Sequence, residues 1–254
     1  MDFKKILFLL ITISAALSNR VSHTHQKRQW NVYNKNIHKR IHSDDINTTT
    51  TVTSTTANTP IENKVKITVY YETLCPASVR FLTHQLKPVV EKLSSYLDVQ
   101  LVPYGHARTY KSGDRYLFRC QHGPAECYGN KLHACAIDAL QNNTQAVLFN
   151  ACLMQYSYRS YRVDYVSVLN WCGYKLNAPI NGIWKCVNSE RGSIVLKNFG
   201  ALTHALSPRY VPYLVFDGSL DNQARANLMS AVCRRLHPAP PSCYYYIYKI
   251  PGNR

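Results

Sequence analysis

The stretch Val65-Lys66-Ile67-Thr68-Val69-Tyr70-Tyr71-Glu72-Thr73-Leu74-Cys75-Pro76-Ala77-Ser78 decides the fold. Alternating and β-branched residues up to Tyr71 predict a buried strand. Beyond Cys75, apolar residues at Val79, Leu82, Leu86, Val89, Leu93 and Leu97 recur at the three-and-four spacing of an amphipathic helix. Pro76 suits the first helical position, whereas Pro88 is expected to kink or split the helix. A cysteine thus stands at a strand-to-helix junction, where free N–H groups and the helix dipole favour a thiolate. Three residues on, Ser78 takes the place of a second sulfur, from where its hydroxyl would donate to the Cys75 sulfur. A dithiol captures a disulfide with one sulfur and releases the product with the other; a serine hydroxyl supplies no thiolate for the second step.

Working outward, residues 99 to 102 predict a second strand ending at Pro103-Tyr104-Gly105, and 210 to 216 a third, closed by Asp217-Gly218. A final helix is expected over 222 to 236 with Asp221 as its cap. The order strand, helix, strand, long insertion, strand, helix predicts an α/β, thioredoxin-like fold interrupted by a cysteine-rich, mostly helical insertion from about 105 to 207. In such a fold Pro212, directly before the third strand, is the expected cis proline facing the active-site cysteine, with the Val211 backbone free to pair with an extended peptide.

The cysteine count points to the compartment. Lys4 and Lys5 precede an apolar run from Ile6 to Leu17, with small residues at Ala16 and Ser18. Residues 1–18 read as a secretory signal peptide, too short for a membrane span. Nine cysteines on that route imply bridges and leave one over. If Cys75 is the free one, Cys120, Cys127, Cys135, Cys152, Cys172, Cys186, Cys233 and Cys243 form four bridges of open connectivity. Only Cys233 with Cys243 is expected outright, across the proline-rich turn between them. Residues 19–63 are basic, then Thr-rich, and read as a disordered arm with dibasic pairs at Lys27-Arg28 and Lys39-Arg40; residues 64–254 form the folded domain. Asn47 and Asn142 begin N-glycan sequons.

The formal charge is +16, and from Lys64 onward 22 Lys and Arg stand against 10 Asp and Glu. Such a surface suits acidic glycans or cell surfaces; nothing in the chain suggests nucleic-acid binding, a transmembrane segment or a cofactor. Cys120, His122, Cys127, His133 and Cys135 invite a zinc reading, but they lack the usual knuckle spacing and an oxidising compartment favours bridges, so no metal is expected. A cysteine protease built from Cys75 with His84 or His106 has no spacing to support it.

Cys120-Gln121-His122-Gly123, Glu126-Cys127, Asn130 and Cys135 complete the pattern CQHG-x2-EC-x2-N-x4-C. With Tyr70-Tyr71-Glu72, Val102-Pro103-Tyr104-Gly105, Cys152, Cys172, the run from Cys186 to Gly192, and Tyr210-Val211-Pro212, the chain resembles the gamma-interferon-inducible lysosomal thiol reductases (GILT) over roughly 64 to 243. The resemblance implies a soluble glycoprotein reductase of the secretory and endosomal route, acting on protein disulfides at acid pH through a CxxC pair. Here that pair is Cys75 and Ser78. Three functions follow as expectations: a monothiol oxidoreductase working with disulfide-containing proteins and small thiols, weakened or inactivated as a reductase; a secreted binding or effector protein using its basic surface; or a trap that holds clients as mixed disulfides. The destination is expected to be extracellular, with the endosomal or lysosomal lumen as the alternative.

Overall fold

A computed structural model of the chain describes residues 64–157, 164–221 and 223–248. The segments read above as a signal peptide and an arm, with Asn47, lie outside the described residues. Four strands form the central sheet in the order β2-β1-β5-β6. Strand β1 (Val65–Tyr71) pairs in parallel with β2 (Leu97–Pro103), from Val65 opposite Leu97 to Tyr71 opposite Pro103, and antiparallel with β5 (Tyr213–Phe216). The short β6 (Ser219–Leu220) completes the edge.

The helix after Cys75 is split, as Pro88 requires, into α1 (Pro76–Phe81), a π-turn (Leu82–Leu86) and α2 (Lys87–Leu93). The wider turn absorbs a proline that has no N–H for the ladder. Leu82, Leu86 and Leu93 are fully buried against β1 and β2, each worth roughly 1.5–3 kcal/mol relative to exposure. The helical periodicity overreaches at its end. A 3₁₀ turn (Ser94–Tyr96) closes the helix, and Leu97 starts β2.

The insertion opens with a hairpin that helical patterning does not anticipate, β3 (Arg108–Ser112) and β4 (Arg115–Arg119), turning at Gly113-Asp114. Five helices follow: α3 (Pro124–Ala139), α4 (Asn143–Ser157), α5 (Tyr165–Leu176), α6 (Ile180–Val187) and α7 (Glu190–Leu206). They enclose a second core around Leu132, Phe149, Leu153, Leu169 and Val187. Bridges Cys135–Cys186 and Cys152–Cys172 run through it, while Cys120–Cys127 closes the loop before α3. Asn142 is exposed, and its side chain accepts the Gln145 N–H at the start of α4.

Two boundaries near the C-terminus differ from expectation. The third strand begins at Tyr213 because Pro212 has no N–H to donate to the ladder; the Val211–Pro212 bond is cis. Of the helix expected over 222 to 236 only α8 (Leu228–Cys233) forms, capped by Asn227, whose side chain accepts from the Ser230 N–H. Asp221 instead caps the preceding 3₁₀ turn (Gln223–Arg225) through the Ala224 N–H and pairs with Arg235. A short helix α9 (Tyr244–Tyr248) follows the Cys233–Cys243 bridge.

Candidate active site

Cys75 is the one free thiol, the other eight cysteines being joined in four bridges. It caps the N-terminus of α1, half-exposed, with its carbonyl accepting the Val79 N–H. Its Sγ lies 3.9 Å from the carbonyl oxygen of Val211, on the cis peptide to Pro212. Sequence-distant Pro212 therefore stands across from Cys75, and the chain between them spans the whole insertion.

Ser78 is fully buried. The expected hydrogen bond to the Cys75 sulfur gives way to another: Ser78 Oγ accepts the Glu72 N–H at 3.4 Å. The hydroxyl fastens the end of β1 to α1, because a buried backbone N–H left without a partner costs more than a contact to an accessible sulfur gains.

The signature residues of the insertion grip the loop that carries the thiol. Asn130, fully buried on α3, accepts from both the N–H (3.0 Å) and the hydroxyl (2.9 Å) of Thr73. One turn earlier, Glu126 Oε2 accepts the Leu74 N–H at 3.3 Å. Glu126 is itself held by His122, whose N–H donates to Oε1 at 3.0 Å and whose Nδ1 lies 2.6 Å from Oε2. Gly123, with φ 83°, turns the chain from His122 into α3 where an L side chain would be strained, and Pro124 follows at the first helical position. Cys127 and Cys135 are held by Cys120 and Cys186, so the pattern's cysteines brace the helix whose polar residues hold the Cys75 loop.

Glu72 is the site residue that sequence reasoning passed over, although a charge continuing a buried strand is itself a signal. It is fully buried, and its Oε1 accepts the His106 N–H at 2.5 Å. Burial first, and then the nearby Glu126 carboxylate, raise its carboxyl to about 7. Glu72, His122 and Glu126 are the described residues that converge as metal-type ligands, their ligand atoms all within 4.8 Å of one another. The cysteine-based zinc set does not assemble. Its three cysteines are in bridges, and His133 is buried against the Tyr71 hydroxyl at 2.9 Å, its pKa lowered to about 3 by burial. Of the histidines in the protease reading, His84 bonds its ring to Thr83, and His106 is held by Glu72 through its backbone N–H.

A thiol at a helix start, opposite a cis proline and braced from an inserted helix, is the equipment of disulfide exchange. The solved DsbA of Mycobacterium tuberculosis, in its reduced form, shares the fold, with a TM-score of 0.52 at 16% identity over 76% of this chain and 92% of that one. The family described as gamma interferon inducible lysosomal thiol reductase (GILT) matches residues 66–172. A gamma-interferon-inducible lysosomal thiol reductase-like protein of Anopheles gambiae is 34% identical over 72% of this chain and 81% of its own length. A gamma-interferon-inducible lysosomal thiol reductase of Carassius auratus is 32% identical over 66% of this chain and 67% of its own. The α3 residues that hold the thiol-bearing loop thus lie inside the family match, and the chain belongs to the GILT family of thiol-disulfide oxidoreductases.

Proposed function

We propose that this protein is a monothiol member of its family, able to exchange disulfides through Cys75 but dependent on an external thiol to complete the cycle. One observation carries the reading: the residue one turn after Cys75 is a buried serine, and every other cysteine is in a bridge. The Cys75 thiolate attacks one sulfur of a substrate R–S–S–R′, forming Cys75–S–S–R and expelling R′–S⁻. Where a CxxC pair would release R by attack of its second sulfur, the adduct persists. A small thiol R″–SH then attacks R's sulfur, loses its proton to solvent, returns Cys75 as thiolate and leaves R–S–S–R″. A second R″–SH reduces that product and becomes R″–S–S–R″, so the electrons of net reduction come from the small thiol. Four bridges suit the oxidising secretory route, and release to the extracellular space or the endosomal lumen follows from that route.

The test is reduction of a fluorescence-quenched disulfide substrate at pH 5 and pH 7, with and without cysteine, beside Cys75→Ser and Ser78→Cys. Repeated turnover only with added cysteine, abolished in Cys75→Ser, is expected, and reduced Ser78→Cys should release both halves of one substrate without added thiol and retain no adduct. Without added thiol the unaltered protein should stop at one equivalent of cleaved substrate with R retained on Cys75; repeated turnover without any added thiol would sink the proposal.

A second reading, binding to sulfated glycans, draws on the β3-β4 hairpin. Its register puts Arg108, Tyr110, Ser112, Arg115, Leu117 and Arg119 on one face, all exposed. Three guanidiniums on a 12-residue hairpin form a compact anion-facing surface. Retention on heparin should fall with salt and with Arg108→Glu/Arg115→Glu, and should be unchanged in Cys75→Ser; equal retention of the double variant would remove the hairpin from the interaction.

A further inference from the structure

Behind the redox loop two glutamates, Glu72 from the end of β1 and Glu126 from the first turn of α3, are both fully buried and face each other. Three of their four oxygens are engaged: Glu72 Oε1 by the His106 N–H, Glu126 Oε1 by the His122 N–H, and Glu126 Oε2 by the Leu74 N–H and the His122 ring. The fourth, Glu72 Oε2, is buried without a hydrogen-bond partner and lies 3.7 Å from His122 Nδ1. The backbone makes room for this carboxylate. A Cβ at Gly105, where φ is 58°, would fall 2.2 Å from Glu72 Cγ and 2.6 Å from Oε1, so a side chain there would displace Glu72. His122 is 33% exposed and gives the cluster one open side.

We propose that Glu72, His122 and Glu126 form a binding site for one divalent cation of the zinc type, set behind the Cys75 loop. One imidazole nitrogen and two carboxylates are a donor set for zinc, whereas Mg²⁺ and Ca²⁺ prefer oxygen alone. Bonds of about 2.0–2.1 Å in tetrahedral geometry separate ligand atoms by roughly 3.3 Å. The distances from His122 Nδ1 of 2.6 Å to Glu126 and 3.7 Å to Glu72 bracket that value. Small rotations bring all three to one ion, and water fills the remaining position from the open side. The cation would neutralise the unpartnered Glu72 oxygen. It would also sit on residues that hold both ends of the redox segment, since Glu126 binds the Leu74 N–H and the Glu72 N–H binds Ser78. The bridged cysteines take no part.

Zinc titration of the full secreted chain, by calorimetry in a Cys75→Ser background, tests this, since that background removes the competing thiolate. His122→Asn and Glu126→Gln should each cost one equivalent of bound zinc, its affinity falling about 100-fold or more, because even outer-shell changes at zinc sites cost 10–100-fold. Zinc held by the histidines of the arm, His23, His25, His38 and His42, would survive both variants and is thereby separated. Equimolar Co²⁺ added to the unaltered chain should give a ligand-field spectrum without a thiolate charge-transfer band, a readout that does not rely on any variant folding. Far-UV circular dichroism and melting check the variants. Zinc binding that vanishes in Cys75→Ser, that stays unchanged in a folded His122→Asn, or that needs millimolar metal in every form would overturn the site.

Discussion

The sheet layer and the inserted helical layer are held together by different means. The sheet with α1 and α2 rests on a continuous apolar core of Val, Ile, Leu and Phe side chains, and its only bridge, Cys233–Cys243, is at the far end of the chain. The insertion packs a smaller core and carries three bridges. The free thiol belongs to the first layer, yet the loop leading to it is gripped by Asn130 and Glu126 of the second. The contrast teaches that the cross-linked layer serves as a clamp. Its rigidity is spent on positioning a loop in a layer that contains no bridge near its own chemistry.

Cutting the clamp's longest cross-link should have the largest effect. Cys135→Ala/Cys186→Ala releases a 51-residue separation, for which the loop-entropy relation gives about 4 kcal/mol. Chemical denaturation should show that loss, whereas removing Cys233–Cys243, with its separation of 10, should cost about 2.7 kcal/mol. An equal loss from both pairs would erase the distinction between the layers.

Loosening the grip without cutting a bridge comes next. Asn130→Ala leaves the buried Thr73 N–H unpartnered and should cost about 1–3 kcal/mol. It should also change the rate at which iodoacetamide alkylates Cys75, while Ser193→Ala, in α7 of the same layer, should not. An unchanged alkylation rate in a folded Asn130→Ala would show that the loop holds itself.

The smallest effect is a pH slope at the seam. His133, on α3 against Tyr71 of β1, titrates at about 3 in the folded chain and near 6.5 in an unfolded one. Below pH 6.5 the unfolded chain takes up a proton that the folded one refuses, so this stability is complete above 6.5 and is lost as pH falls toward 3. From pH 7 to pH 5 the loss is about 2 kcal/mol. Glu72, raised to about 7, runs the other way: its folded form binds the proton first, and stability is gained as pH falls from 7 toward 4.5. In metal-free buffer, His133→Gln should therefore be more acid-tolerant than the parent, by up to about 2 kcal/mol at pH 5 in paired urea melts. No difference between the two pH values would mean that the unfolded state, too, shields this imidazole.

Much of the sheet layer was legible in the chain itself. Strand β1 was readable to the residue because its pattern is continuous and buried, and Pro88 announced the break in the helix because a missing N–H acts locally. The hairpin is faint in the chain despite the turn signal Gly113-Asp114, because both its strands are largely exposed and carry no buried apolar face. The split of the segment from 223 to 236 is not legible in the chain because Asp221 and Asn227 are both good caps, and the choice depends on Arg235 meeting Asp221.

By itself, the sequence determined that a lone cysteine begins a helix after a buried strand, that a serine follows one turn later, and that the other eight cysteines are even in number. These are properties of order and spacing along the chain, which local sterics and counting can read. Only the tertiary structure decided which cysteines pair, that Ser78 turns to the Glu72 N–H, and that Glu72, His122 and Glu126 meet. Those outcomes depend on side chains up to 54 positions apart competing for a few buried hydrogen bonds, and that competition is settled by packing in three dimensions.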